Sequence, residues 1–195
     1  MKFQIISDIH LEYYDILPNI DDFFTVAAPN LILAGDICYY KHPNFMKFFD
    51  KISTLYEHIF FVPGNHEYYA YNDIPDINFD QIDFTMKENL KIFKNVHFIQ
   101  NSIFELDNNI ILGTTLWCRN NRTDKDKGVK IIPSEYYIFV NNKYSPTYKH
   151  LKSLNTTQYN WLKDTLKGIH LTQKNIIVVT HYLPSKKCIH NKYKN

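Results

Sequence analysis

The sequence is short of the residues that most often mark a special class of protein. It has five glycines and three cysteines in 195 residues, and Arg119 and Arg122 are its only arginines. Cys38, Cys118 and Cys188 are too few and too scattered for a disulfide framework. None stands in a C-x-x-C pair, which argues against a thiolate zinc site and for a reducing, intracellular setting. Long apolar runs are missing as well. The longest, such as Ile176 to Val179, have the length of a strand and cannot span a bilayer. After Met1 and Lys2 the first apolar stretch stops at Ser7-Asp8, too short for a signal peptide. The expectation is a cytoplasmic chain with no membrane partner. Excess charge is also absent. The net charge of +2 provides no field for nucleic acid or an acidic membrane, and no basic stripe with interleaved aromatics occurs.

What is present is an ordinary globular mixture, 45% apolar and 22% charged. A single domain of this size buries about 70% of its unfolded surface and needs no covalent staple. Phe, Tyr, Met, Ile, Asn and Lys, all with AT-rich codons, make up about half the chain. That bias belongs to a low-GC bacterium, a protist or a large DNA virus. It discounts the many tyrosines and asparagines as functional signals.

Four apolar runs read as strands buried on both faces: Phe3 to Ile6, Asn30 to Ala34, His58 to Val62 and Ile176 to Thr180. Pro43 to Glu57, Asp80 to Phe93 and Tyr148 to Leu166 have helical apolar spacing. Val96 to Gln100 and Ile110 to Leu116 read as further strands. Asp107-Asn108-Asn109 joins Ile103–Leu106 to Ile110–Leu112 as a hairpin. Alternating strands and helices give an α/β fold with a second, partly antiparallel sheet. Arg119 to Pro146 is the longest irregular stretch, and its cations Arg119, Arg122 and Lys130 are candidate phosphate contacts, although a solvated charged loop is the commoner case. His42, His58, His97, His150 and His170 fall outside every motif and read as structural or surface residues.

Metal-competent residues follow each of the four runs: Asp8 and His10, then Asp36, then Asn65 and His66, then His181. In a parallel sheet that carboxyl edge is where ligands bind. Carboxylate, imidazole and amide oxygen together suit a divalent cation such as Mn, Fe, Zn or Ni. Asp8 and His10 share one face if the chain stays extended there. Taken singly, each residue has an ordinary reading as a turn, a cap or a core histidine. Their coincidence at four strand ends is what points to a site.

Asp8-Ile9-His10, Gly35-Asp36, Gly64-Asn65-His66-Glu67 and Thr180-His181 resemble, in order and spacing, the calcineurin-like metallophosphoesterase family. The resemblance runs from Met1 to about Ser185. It implies a four-layer α/β/β/α sandwich, one domain over residues 1–195, and two divalent metals between the sheet edges. On that likeness Asp8 and His10 bind the first metal, Asp36 bridges both, and Asn65 and His181 bind the second. His66 stands beside the leaving group as general acid or electrostatic clamp. Asn65, and from the loop's charge Arg119 and Arg122, are the candidates to touch a phosphate-ester substrate. Two cations about 3.5–4 Å apart can hold a hydroxide at neutral pH and brace an in-line displacement at phosphorus. The implied activity is hydrolysis of a phosphomonoester or phosphodiester.

The sequence departs from the family in two places. No G-H-x-H motif follows His181, so each metal lacks one imidazole and the second sheet lacks its last strands. The chain is then a fragment, an inactive remnant or a non-catalytic scaffold, or else Cys188 or His190 serves as a ligand. The other departure is Tyr39, which stands where many members have the last carboxylate of G-D-x-x-D, the group that orients the catalytic histidine. His66 is therefore oriented less firmly, or by another group.

Overall fold

Three of the four apolar runs become neighbours in one parallel sheet. The computed structural model describes residues 1–69, 79–118, 148–169 and 172–191. Strands β1 (Phe3–Ile6), β2 (Asn30–Ala34), β3 (His58–Val62) and β4 (Val96–Phe98) pair in that order, all parallel. Strands β5 (Ser102–Leu106), β6 (Asn109–Thr114) and β7 (Asn175–Thr180) form a second sheet, with β5 antiparallel and β7 parallel to β6. The β5–β6 hairpin turns at Asp107, whose φ of 51° suits a short polar side chain. Helices α1 (Pro43–Ser53), α2 (Phe79–Leu90) and α3 (Tyr148–Ile169) complete the described elements.

The alternation of side chains along each strand sorts the core into layers. Leu31, Leu33, Ile59 and Phe61 face outward from the first sheet against Phe45, Phe48 and Phe49 of α1 and Ile82 and Met86 of α2. Ile32, Phe60 and Val62 face inward and meet Ile111 and Val179 of the second sheet. Ile110 and Leu112 face outward from that sheet onto Leu162 of α3, with Trp161 and Leu166 beside it. The result is the expected α/β/β/α sandwich.

Several details differ from the sequence reading: α2 ends at Leu90 rather than Phe93, α3 runs on to Ile169, and β4 and β6 end at Phe98 and Thr114. Helix α1 stops at Ser53 rather than Glu57, because the Ser53 and Thr54 hydroxyls donate to the carbonyls of Asp50 and Lys51 and take over the last turn. Also, β1 and β7 are not buried on both faces. Each is the last strand of its sheet, and Ile5 is 69% exposed, Ile176 38% and Val178 41%. A continuous apolar run carries no information about which of its faces has a neighbour. An apolar groove of about 480 Å³ runs along α3, lined by Tyr159, Leu162 and Leu166 with the stems of Lys163 and Lys167.

Candidate metal centre

The carboxyl ends of β1, β2, β3 and β7 converge where the two sheets meet. Past its last sheet pair, β1 continues alongside β2: the amides of Asp8, His10 and Leu11 donate to the carbonyls of Gly35, Asp36 and Ile37. The chain there is not extended. Asp8 (φ 57°), His10 (φ 47°) and Asp36 (φ 55°) all occupy the left-handed region, which costs a non-glycine residue energy and clusters at functional sites. Asp8 and His10 accordingly do not share one face of a strand. Gly35 and Gly64 allow the loops to close. A Cβ on Gly35 would lie 2.6 Å from His181 Nδ1, and one on Gly64 would lie 2.2 Å from Asp36 Oδ1.

Two groups of ligand atoms result. Asp8, Asp36 and His181 form one and His10, Asp36 and His66 the other, with the atoms of each group within 4.8 Å of one another. Asp36 is buried and belongs to both. Its Oδ1 accepts the His66 amide at 2.9 Å, which fixes the carboxylate.

Asp8 and His10, expected on one metal, fall in different groups, whereas Asn65 and His181, expected on the second, meet. His181 Nδ1 lies 2.9 Å from the Ala34 carbonyl. A carbonyl only accepts, so Nδ1 carries a proton, and in the neutral tautomer that this partner selects Nε2 presents a lone pair. That lone pair faces Asn65 Oδ1 at 3.1 Å and Asp36 Oδ1 at 3.5 Å. Asn65 Nδ2 donates to Tyr69 Oη at 2.7 Å, which turns Oδ1 toward His181. Three acceptors pointing at one another repel unless a cation or a proton lies among them. The donor set therefore fits a divalent metal, with the histidine tautomer locked by a backbone partner as is usual for ligating imidazoles.

Two carboxylates stand behind these ligands, and sequence reasoning assigned neither a role. Glu67 accepts backbone N–H groups from Asp36, Ile37, Cys38 and Gly64 at 2.6–3.2 Å and so ties the β2 and β3 loops together. Burial, with the Asp36 charge adding to it, pushes Glu67 up to about 7, and its N–H donors work against that. Glu12 Oε1 lies 2.6 Å from His66 Nδ1 and 3.4 Å from His10 Nδ1. Burial pushes Glu12 up, but the hydrogen bonds to the two imidazoles prevail and hold it at about 2. The same hydrogen bond raises His10 above its ordinary value, against desolvation. Burial, then the two carboxylates, pushes the Cys38 thiol up, which leaves it unreactive.

Beyond His181 lies a cavity of about 630 Å³, lined by Leu116, Trp117, Cys118, Tyr159, Tyr182 and Ile189. Cys188 sits on an exposed 3-10 turn, Lys186–Cys188, and among the described residues neither it nor His190 joins a ligand group. Arg119, Arg122 and Lys130 lie outside the described residues. His42 caps α1 by accepting the Asn44 amide, and His58 and His97 pair at 3.0 Å, which suits their structural reading.

Comparison with known proteins bears on the fold and the family. The chain is 34% identical over 193 residues to uncharacterized protein L509 of Acanthamoeba polyphaga mimivirus, covering 92% of this chain and 66% of that protein. It thus spans just under two thirds of the length of that relative. The crystal structure of phosphopantetheinyl hydrolase (PptH) from Mycobacterium tuberculosis has the same fold, with a TM-score of 0.63 at 16% identity, over 93% of this chain and 68% of the other. The sequence profile of the calcineurin-like phosphoesterases matches residues 1–194. The chain belongs to the calcineurin-like phosphoesterase family, a family of metal-dependent phosphoesterases.

Proposed function

We propose that this protein hydrolyses a phosphomonoester or phosphodiester at a centre of two divalent cations (Mn, Fe or Zn) that share Asp36. The observation that supports this most is the membership of Asp36 in both ligand groups. His10 would hold one cation and Asn65 with His181 the other, with Asp8 in reach of the second group. Cations bound there would supply the nucleophile at neutral pH and offset the charge that develops on the phosphoryl oxygens.

The chain's own residues do the rest. Glu67 fixes the loops that carry Asp36 and Asn65. The Ala34 carbonyl fixes the His181 tautomer. His66 Nε2 faces Asp36 Oδ2 at 3.9 Å, so a proton held there lies beside the site and can pass to a leaving oxygen. The cavity beyond His181 offers apolar walls to the non-reacting part of the ester, with Arg119 and Arg122 as further phosphate contacts. A phosphate ester is the partner this reading requires; neither nucleic acid nor a membrane has a role in it.

The test is to load the full chain with Mn, Fe or Zn, dialyse it, and measure metal per chain and hydrolysis of 4-nitrophenyl phosphate and its bis-ester. About two metals with turnover is the expected result. One metal or none in a folded chain without turnover would favour a binding module or an inactive relative.

A further inference from the structure

Glu12 is a carboxylate on a rigid mount. Its 3-10 turn, Leu11–Tyr13, is anchored by Leu11, wholly buried in the main core, and by Asn44, whose Nδ2 donates to the carbonyls of Leu11 and Tyr14 at 3.0 and 2.7 Å. The Glu12 side chain is 2% exposed, and its Oε2 is buried with no hydrogen-bond partner. Desolvating a carboxylate and leaving one oxygen bare is costly, so the position serves something other than stability. What the carboxylate does engage is the His66 ring, through Oε1 and Nδ1 at 2.6 Å. Tyr69 covers a face of the same ring, centroids 4.1 Å apart at 32°, and the edge of His10 closes in at 4.2 Å.

We propose that Glu12 is the positioning residue of His66. It does from the segment after β1 what a carboxylate at position 39 would otherwise do. Its Oε1 accepts the hydrogen bond from His66 Nδ1–H, which leaves Nε2 as the nitrogen facing Asp36 and the reacting ester. The same oxygen lies 3.4 Å from His10 Nδ1, so one group sets the register of a metal-ligand candidate and of the leaving-group acid together. Tyr39 is buried in the core and brings no charge to compete. The proposal rests on the phosphoesterase reading for its kinetic consequence, but its structural half stands without it.

The experiment therefore has two readouts on the full chain. The first is the proton spectrum of the metal-free protein. A low-field Nδ1–H signal that disappears in His66→Asn is the His66 proton, and it should be lost or shifted upfield in Glu12→Gln and largely retained in Glu12→Asp. If Glu12→Gln leaves it in place, or if His66→Asn removes no such signal, the proposal is overturned. The second readout compares 4-nitrophenyl phosphate with phenyl phosphate, a poorer leaving group, on Mn-loaded protein. Glu12→Gln should bind the same metal with unchanged KM, lose about 10–100-fold in kcat on phenyl phosphate, and lose clearly less on the nitrophenyl ester. Equal losses on both esters, or lost metal, would make Glu12 a structural support and overturn the positioning role. If the wild type hydrolyses neither ester, the phosphoesterase reading fails while the proton spectrum still decides whether Glu12 holds His66. Should the glutamine variant fail to fold, Glu12→Met, which keeps the volume without an acceptor, takes its place with the same expected and overturning results.

Discussion

In the four-stranded sheet, β2 and β3 are covered on both faces. In the three-stranded sheet, β7 is covered on one face only, although Ile176–Thr180 is as apolar as Asn30–Ala34. The candidate centre lies across the boundary between these regions and draws Asp36, Asn65 and His66 from the covered one and His181 from the other. Polar groups also brace the loops on the covered side. Glu67 gathers four amides there, Asn44 holds the Glu12 turn, and Tyr68 Oη donates to the half-buried Asp83 of α2 at 2.5 Å. His181 has one backbone partner, the Ala34 carbonyl, and that too belongs to β2. The lesson is that the first sheet and its loops set the geometry, and the second sheet delivers one ligand to it.

The largest expected effect tests whether the centre joins the two regions at all. Asp36→Asn keeps an oxygen to accept the His66 amide, so the fold should survive. It removes the charge both ligand groups share. Metal content should fall toward zero, and hydrolysis by about 10³-fold or more, since a cation supplies several kcal/mol of transition-state stabilisation. Retention of one metal per chain would show that the two groups bind independently, and the comparison would then divide the site itself.

Next in size is the core of the covered side. Phe61 is fully buried against Phe45 and Phe49. Phe61→Ala should cost about 3–5 kcal/mol in denaturant unfolding. A loss below about 1 kcal/mol would mean that the first sheet is not the stabilising half.

A smaller effect depends on pH. Burial pushes Asp83 up to about 7, above its ordinary 3.8. A raised acid is bound neutral in the fold, so its contribution is intact below the unfolded value and is lost as pH climbs through the folded one. Asp83→Asn carries no such penalty and still accepts from Tyr68. The variant should gain on the wild type between pH 4 and 7, its melting advantage larger by about 5 °C at pH 8 than at pH 5. An advantage that shrinks as pH rises would show that Asp83 is ionised in the fold at little cost.

Much of this was legible in the sequence, for a physical reason. The strands, the hairpin and the three helices follow from apolar periodicity, which local burial imposes. Asp8, His10, Asp36, Asn65, His66 and His181 could be picked out because each follows an apolar run directly. Glu12 could not. It is one polar residue in a turn, and its meaning lies in a contact with His66, 54 positions away. Its one signal was negative: Tyr39 left His66 in need of another carboxylate. The half-covered state of β7 was hidden for the opposite reason, since a run of Ile and Val looks the same whether one face or two have neighbours.

That last point can be measured with two adjacent residues. Val178 and Val179 are consecutive in β7 and point to opposite faces. Val178 lies beside Leu112 in register, on the outer face, and is 41% exposed. Val179 is buried between the sheets with Ile32, Phe60 and Ile111. Threonine has nearly the shape of valine and keeps its strand preference, so the substitution exchanges a methyl for a hydroxyl and little else. Val179→Thr buries that hydroxyl among apolar neighbours and should cost about 1–3 kcal/mol. Val178→Thr lets it reach water, so the change should stay within about 0.5 kcal/mol, with metal content unaltered. A cost at Val178 equal to that at Val179, falling as the protein is diluted, would mean that another chain covers this face in solution. The asymmetry between the sheets would then belong to the isolated chain alone.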